Sequence, residues 1–219
     1  MPIRTKVLIS ASMLASLAFY FFRADLIPPL LYAMKGLPVA LLALAALSAT
    51  RETAGLLLAA VMALGAAGDI GVEVSLEAGA VLFLMGHLVA IMLYRRNRRG
   101  NPTASQKAAA LALLVLVPLV AFSLPTERSS ATGVAIYALG LGAMAASAWL
   151  SAYPRYRVGI GAVLFVISDL LIFARIGPLA GSPWPDLLIW PLYYTGQLLI
   201  CVGIIARLQK PADYVITNV

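Results

Sequence analysis

Gly161-Ala-Val-Leu-Phe-Val-Ile-Ser-Asp-Leu170 reads as the middle of a membrane-spanning helix with one acidic residue inside it. The chain carries a second version of this stretch, Gly79-Ala-Val-Leu-Phe-Leu-Met-Gly-His-Leu88. The first five residues and the tenth are identical, and His87 stands where Asp169 stands. A charge at the centre of a lipid-embedded helix costs roughly 3 kcal/mol on insertion scales, so such groups face a protein interior or a wet cavity. Asp169 and His87 are therefore site candidates, and the remaining polar residues inside apolar runs are the candidates for their partners.

Composition sets the class. Hydrophobic residues make up 62% of the chain and charged residues 11%, with a mean hydropathy of +0.95. A soluble domain carries about 25% charged residues, so the expected fold is an all-α integral membrane bundle. Eight transmembrane helices are expected at about 7–22, 29–48, 54–71, 76–94, 107–124, 131–151, 156–176 and 187–207. They form a single domain whose halves, about 1–96 and 107–219, are joined by a basic polar loop. The first run follows Arg4 and Lys6 but lacks a small-residue cleavage site, so it is read as a span rather than a signal peptide. The lone Cys201 excludes a disulfide framework within the chain.

Charge sets the expected orientation. With the amino terminus in the cytoplasm, twelve basic residues fall on the cytoplasmic side, from Arg4 through the Arg95–Arg99 cluster to Lys210. Arg23, Lys35, Arg128 and Arg175 fall on the other. That bias places both termini inside, and it explains the net charge of +7 without nucleic acid as a partner. Short loops and biased charges suit a bacterial inner membrane. Tyr153, Tyr156, Trp184 and Trp190 fall near helix ends, where aromatic rings favour the headgroup region. The two repeat helices run in opposite directions, as in an inverted repeat.

Lys35, Asp69, His87, Asp169 and Gln197 lie inside spans and share a depth between the membrane centre and the outer interface. Each also has a plainer reading. Lys35 snorkels to the interface, Asp69 caps the turn at Gly71, and His87 and Gln197 bond neighbouring helices together. Ser168 bonds back to its own helix. Asp169 has no such alternative in mid-helix. Phe165, Asp169 and Phe173 lie four apart on one face, which gives a carboxyl group flanked by rings, a setting that suits a general acid. Phe83, His87 and Tyr94 share a face in the same way, and Tyr193 or Tyr194 lies one turn from Gln197. One His and one Cys leave a zinc site short of ligands. Adjacent Ser168 and Asp169 point in different directions, which disfavours a Ser-His-Asp relay.

Lys35-Gly-Leu-Pro38, Gly68-Asp69, Gly79 through Gly86-His87 with Tyr94 beyond, Gly161 through Ser168-Asp169, and Tyr193-Tyr194-Thr-Gly-Gln197 occur in this order. Together they resemble the YhhN-type lysoplasmalogenase membrane family, across nearly the whole chain. The resemblance implies hydrolysis of the vinyl-ether bond of a lysoplasmalogen or related lysophospholipid, giving a fatty aldehyde and a glycerophospho-base. It implies Asp69 and Asp169 as acid and base in either order, with His87 orienting groups or moving protons. Lys35 then holds the phosphate, and Tyr194, Gln197 and Ser168 are the further substrate contacts. No metal or cofactor is required, and the alkenyl chain enters from the bilayer. Two readings from other classes stand beside this one: a proton-coupled transporter, and a non-catalytic lipid-binding protein whose polar groups only fix helix packing.

Overall fold

The computed structural model describes residues 1–209. They form eight long helices: α1 (Ile3–Phe22), α2 (Pro28–Ala49), α3 (Thr53–Val74), α4 (Leu76–Arg96), α5 (Ala104–Ser123), α6 (Arg128–Leu150), α7 (Ile160–Arg175) and α8 (Trp184–Leu208). A turn of π-helix, Arg155–Gly159, leads into α7. All eight are long and apolar enough to cross a membrane, and the described residues contain no strand. The protein is an all-α, multi-pass integral membrane protein.

Local chemistry sets most helix ends. Pro28 and Pro29 open α2, where their missing N–H groups cost nothing. Thr103 and Gln106 cap α5 reciprocally: the Gln106 N–H donates to Thr103 Oγ1 (3.3 Å) and the Thr103 N–H to Gln106 Oε1 (2.8 Å). One expected end is misplaced. Helix α3 passes through Gly71 and runs to Val74, and Ser75 then caps α4 by accepting from the Ala78 N–H (3.0 Å). Gly71 does not terminate the helix. It admits α4, whose Gly79 Cα lies 3.1 Å from where a Gly71 Cβ would sit.

Consecutive helices pack as antiparallel neighbours, except that α4 packs on α6 and α5 lies outside, held by α6 and α7. Helix α8 closes the bundle against α7, α2 and α3. The first glycine of each repeat does the same work: a Cβ on Gly161 would meet the Gly196 carbonyl oxygen of α8 at 2.7 Å, and one on Gly79 would run into Val72 of α3. Small residues at such crossings let backbones approach where packing, rather than a hydrophobic effect, drives association.

Hydrogen bonds define the two ends. At one, Thr5 bonds Ser48 (2.8 Å), the Gln209 amide bonds the Ala49 carbonyl (3.3 Å), and the Ala152 N–H donates to the Asn97 carbonyl (2.7 Å). At the other, Arg23 donates to the Asp186 carbonyl (2.6 Å), Arg175 pairs with the Asp186 side chain, and the Thr126 N–H donates to the Ile176 carbonyl (3.2 Å). The end with Thr5 and Gln209 carries the Arg95–Arg99 cluster, and Lys210 lies outside the described residues. The opposite end carries Asp25, Glu73, Glu77, Glu127 and Asp186.

The aromatic expectation divides. Tyr156 and Trp184 are exposed on the bundle surface, whereas Tyr153 and Trp190 are buried. Tyr153 packs against Tyr94, and the Trp190 indole N–H donates to Ser16 Oγ (3.0 Å). Both rings are consumed by helix packing.

Candidate functional site

Asp69 and Asp169 are among the most buried polar groups of the bundle, at 2% and 4% exposure. Each carboxylate is held by a tyrosine from another helix. The Tyr193 hydroxyl of α8 donates to Asp69 Oδ2 of α3 (2.9 Å), and the Tyr137 hydroxyl of α6 donates to Asp169 Oδ2 of α7 (2.5 Å). Gln197, one turn after Tyr193, donates through Nε2 to the Tyr193 hydroxyl (3.4 Å). His87 of α4 bonds the Tyr137 hydroxyl through Nε2 (3.2 Å). The five helices α3, α4, α6, α7 and α8 thus deliver two matching units, Asp69–Tyr193–Gln197 and Asp169–Tyr137–His87.

Rings from the two repeat stretches separate these units. Phe83 of α4 and Phe165 of α7 meet edge to face with centroids 5.9 Å apart, and Tyr193 packs on both, at 5.7 and 5.1 Å. His87 lies edge-on to Phe165 at 5.2 Å. Glycines make the room. A Cβ on Gly68 would touch the Phe83 ring at 3.0 Å, and one on Gly65 would lie 2.9 Å from Gln197 Nε2. The shared GAVLF sequence therefore places one phenylalanine from each copy at a common partition.

Two cavities flank it. The larger, about 440 Å³, lies between α4, α6 and α7 and is lined mainly by apolar side chains, with Tyr137 and Asp169 on its wall. Its volume falls within the roughly 300–1,000 Å³ of small-molecule sites. Glu77, Ser129 and Ser130 lie where it approaches the end with Arg23 and Asp186, and its lining includes Val81 and Ile136, which are 59% and 62% exposed on the helix flanks. The smaller, about 20 Å³, is lined by His87, Tyr94, Gln197, Phe83 and Phe165 among others.

Several expected residues sit elsewhere. Lys35 of α2 is ion-paired with Glu73 of α3, one turn beyond Asp69, and lines neither cavity. Tyr194 turns away from Gln197 and bonds Ser12 of α1 (2.8 Å), leaving Tyr193 as the tyrosine at the carboxylate. Ser168 donates across to the Ile189 carbonyl of α8 (3.0 Å) rather than back into its own helix. Asp69 bonds Tyr193 from within α3 and caps nothing. Tyr137 and Glu73 carry no signal in the sequence, and Tyr193 is one of two tyrosines that the spacing to Gln197 leaves open. A tyrosine within an apolar run looks the same whether it packs, anchors or donates, and Glu73 falls between the expected spans 54–71 and 76–94.

No curated protein and no solved structure matches the chain. A model of the YhhN family matches residues 30–204, from the first turn of α2 to one turn short of the end of α8, a span that holds both tyrosine–carboxylate units, the aromatic partition and both cavities. The chain belongs to the YhhN family.

Proposed function

We propose that this protein is a membrane hydrolase that cleaves the vinyl-ether bond of lysoplasmalogens. The observation that carries the reading is Asp169, held through Oδ2 by Tyr137, on the wall of an apolar cavity. A vinyl ether is hydrolysed by protonating the alkenyl carbon remote from oxygen, which gives an oxocarbenium ion. Water adds to that ion and gives up one proton, and the neutral hemiacetal then collapses to an aldehyde and the free glycerol hydroxyl.

Asp169 is the acid in this scheme. Its Oδ1 carries the proton to the alkenyl carbon while Tyr137 fixes the other oxygen, and His87 positions Tyr137. Asp69 is the base in this scheme; it lines neither cavity, and its link toward the larger one is Tyr193, whose hydroxyl Gln197 orients and whose ring packs on the wall residue Phe83. The alkenyl chain occupies the cavity between α4, α6 and α7. Lys35 serves the phosphate by exchanging Glu73 for it, whereas Tyr194 and Ser168 hold helices together and have no part in the reaction. The end with Thr5 and the Arg95–Arg99 cluster faces the cytoplasm of a bacterial inner membrane, on the strength of its basic residues.

Aldehyde release by purified protein given lysoplasmalogen tests the reading. Asp169→Asn and Asp69→Asn should each lower the rate at least ~10²-fold, the low end for acid–base groups, with thermal unfolding little changed. A folded wild type that releases no aldehyde overturns it.

A further inference from the structure

His87, Tyr94 and Gln197 have one feature in common that the scheme above leaves unused: all three line the small cavity, and all three are buried, at 3%, 1% and 2% exposure. His87 and Tyr94 are two turns apart on one face of α4, about 10.5 Å along the axis. Both side chains contribute to the wall of the same cavity, with the Tyr94 ring backed by Tyr153. Gln197 enters from α8. A volume of about 20 Å³ exceeds the roughly 10–15 Å³ that one water needs.

We infer that this chamber binds a single structural water, which joins the two tyrosine–carboxylate units into one hydrogen-bonded line. The donor and acceptor roles close without a mismatch. Tyr137 spends its proton on Asp169, so its oxygen accepts, and His87 Nε2 carries the hydrogen that it accepts. Nδ1 is then the free acceptor of a ring that lines the chamber. On the other side, Gln197 donates through Nε2 to Tyr193, which donates to Asp69, and this leaves Gln197 Oε1 as an acceptor. One water donates to Nδ1 and to Oε1 and accepts from the Tyr94 hydroxyl. These three bonds are the usual number for a buried water. Tyr94 is thereby a positioning residue: it fixes the water that fixes the tautomer of His87.

The chain has one histidine, so isotope labelling reads that ring alone. The experiment is water-to-imidazole magnetisation transfer by solid-state NMR on the full protein in bilayers. In the wild type, transfer to His87 and a hydrogen on Nε2 rather than Nδ1 are expected. Tyr94→Phe removes one partner of the water. Gly86→Ala takes up chamber space, and its Cβ meets Leu64 Cβ at 3.5 Å and the Val61 carbonyl oxygen at 3.8 Å, ordinary contacts. Loss of transfer in either folded variant supports the site. Absence of transfer in the wild type, a hydrogen on Nδ1, or transfer retained in both variants overturns it. Because the readout needs no substrate, it separates this inference from the proposed hydrolysis, which fails or stands on aldehyde release.

Discussion

Tyr137 is shared between His87 and Asp169, so its hydroxyl matters more than its ring. Tyr137→Phe keeps the edge-to-face packing on Phe173 and strips the carboxylate of its donor. The charge that forms on Asp169 as it gives up its proton loses a hydrogen bond worth about 1.5–3 kcal/mol, so aldehyde release should fall about 10- to 100-fold, and the unpaired buried groups should lower the unfolding midpoint of a variant that still folds. A Tyr137→Phe rate equal to wild type sinks the role given to this residue. The sequence pointed to His87, Asp69, Asp169 and Gln197 because polarity inside an apolar run is costly and therefore visible. Tyr137 carried no such mark. Tyr193 and Tyr194 were indistinguishable one turn from Gln197, although successive helix positions point about 100° apart. The choice between them depends on which face meets α3 and which meets α1, a tertiary fact.

Helix crossings were legible as composition but not as geometry. The GAVLF stretches announce two helices, and the structure shows why each begins with glycine: Gly161 lies against the Gly196 carbonyl and Gly79 against Val72. Gly161→Ala places a Cβ 2.7 Å from backbone, which must shift. Overpacking of this kind costs about 1–3 kcal/mol, and thermal unfolding in detergent should show the loss. Gly133→Ala meets nothing within 4 Å and should be neutral or stabilising by up to ~1 kcal/mol through helix propensity. Equal midpoints for the two variants contradict this account of the α7–α8 crossing. Gly71 looked like a helix end for the same reason that Gly161 looked like part of a repeat. A sequence shows that a side chain is missing, and only the neighbouring helix shows what occupies its place.

At the scale of the molecule, the eight spans follow from hydropathy alone, whereas the cavity between α4, α6 and α7 does not, because no local pattern encodes where three helices fail to close. Its contribution is testable at Gly133, which lines it with open space beside the Cα. Gly133→Phe should lower aldehyde release at an unchanged unfolding midpoint, and full activity would exclude this cavity as the route. Val81 and Ile136 line that cavity and are exposed on the flanks of two membrane-spanning helices. A molecule entering between them is drawn from a two-dimensional solution. The quantity that saturates the protein is then the mole fraction of substrate in the bilayer, not its molarity in the tube. Adding inert phospholipid at fixed total substrate should slow the reaction as thoroughly as removing substrate does.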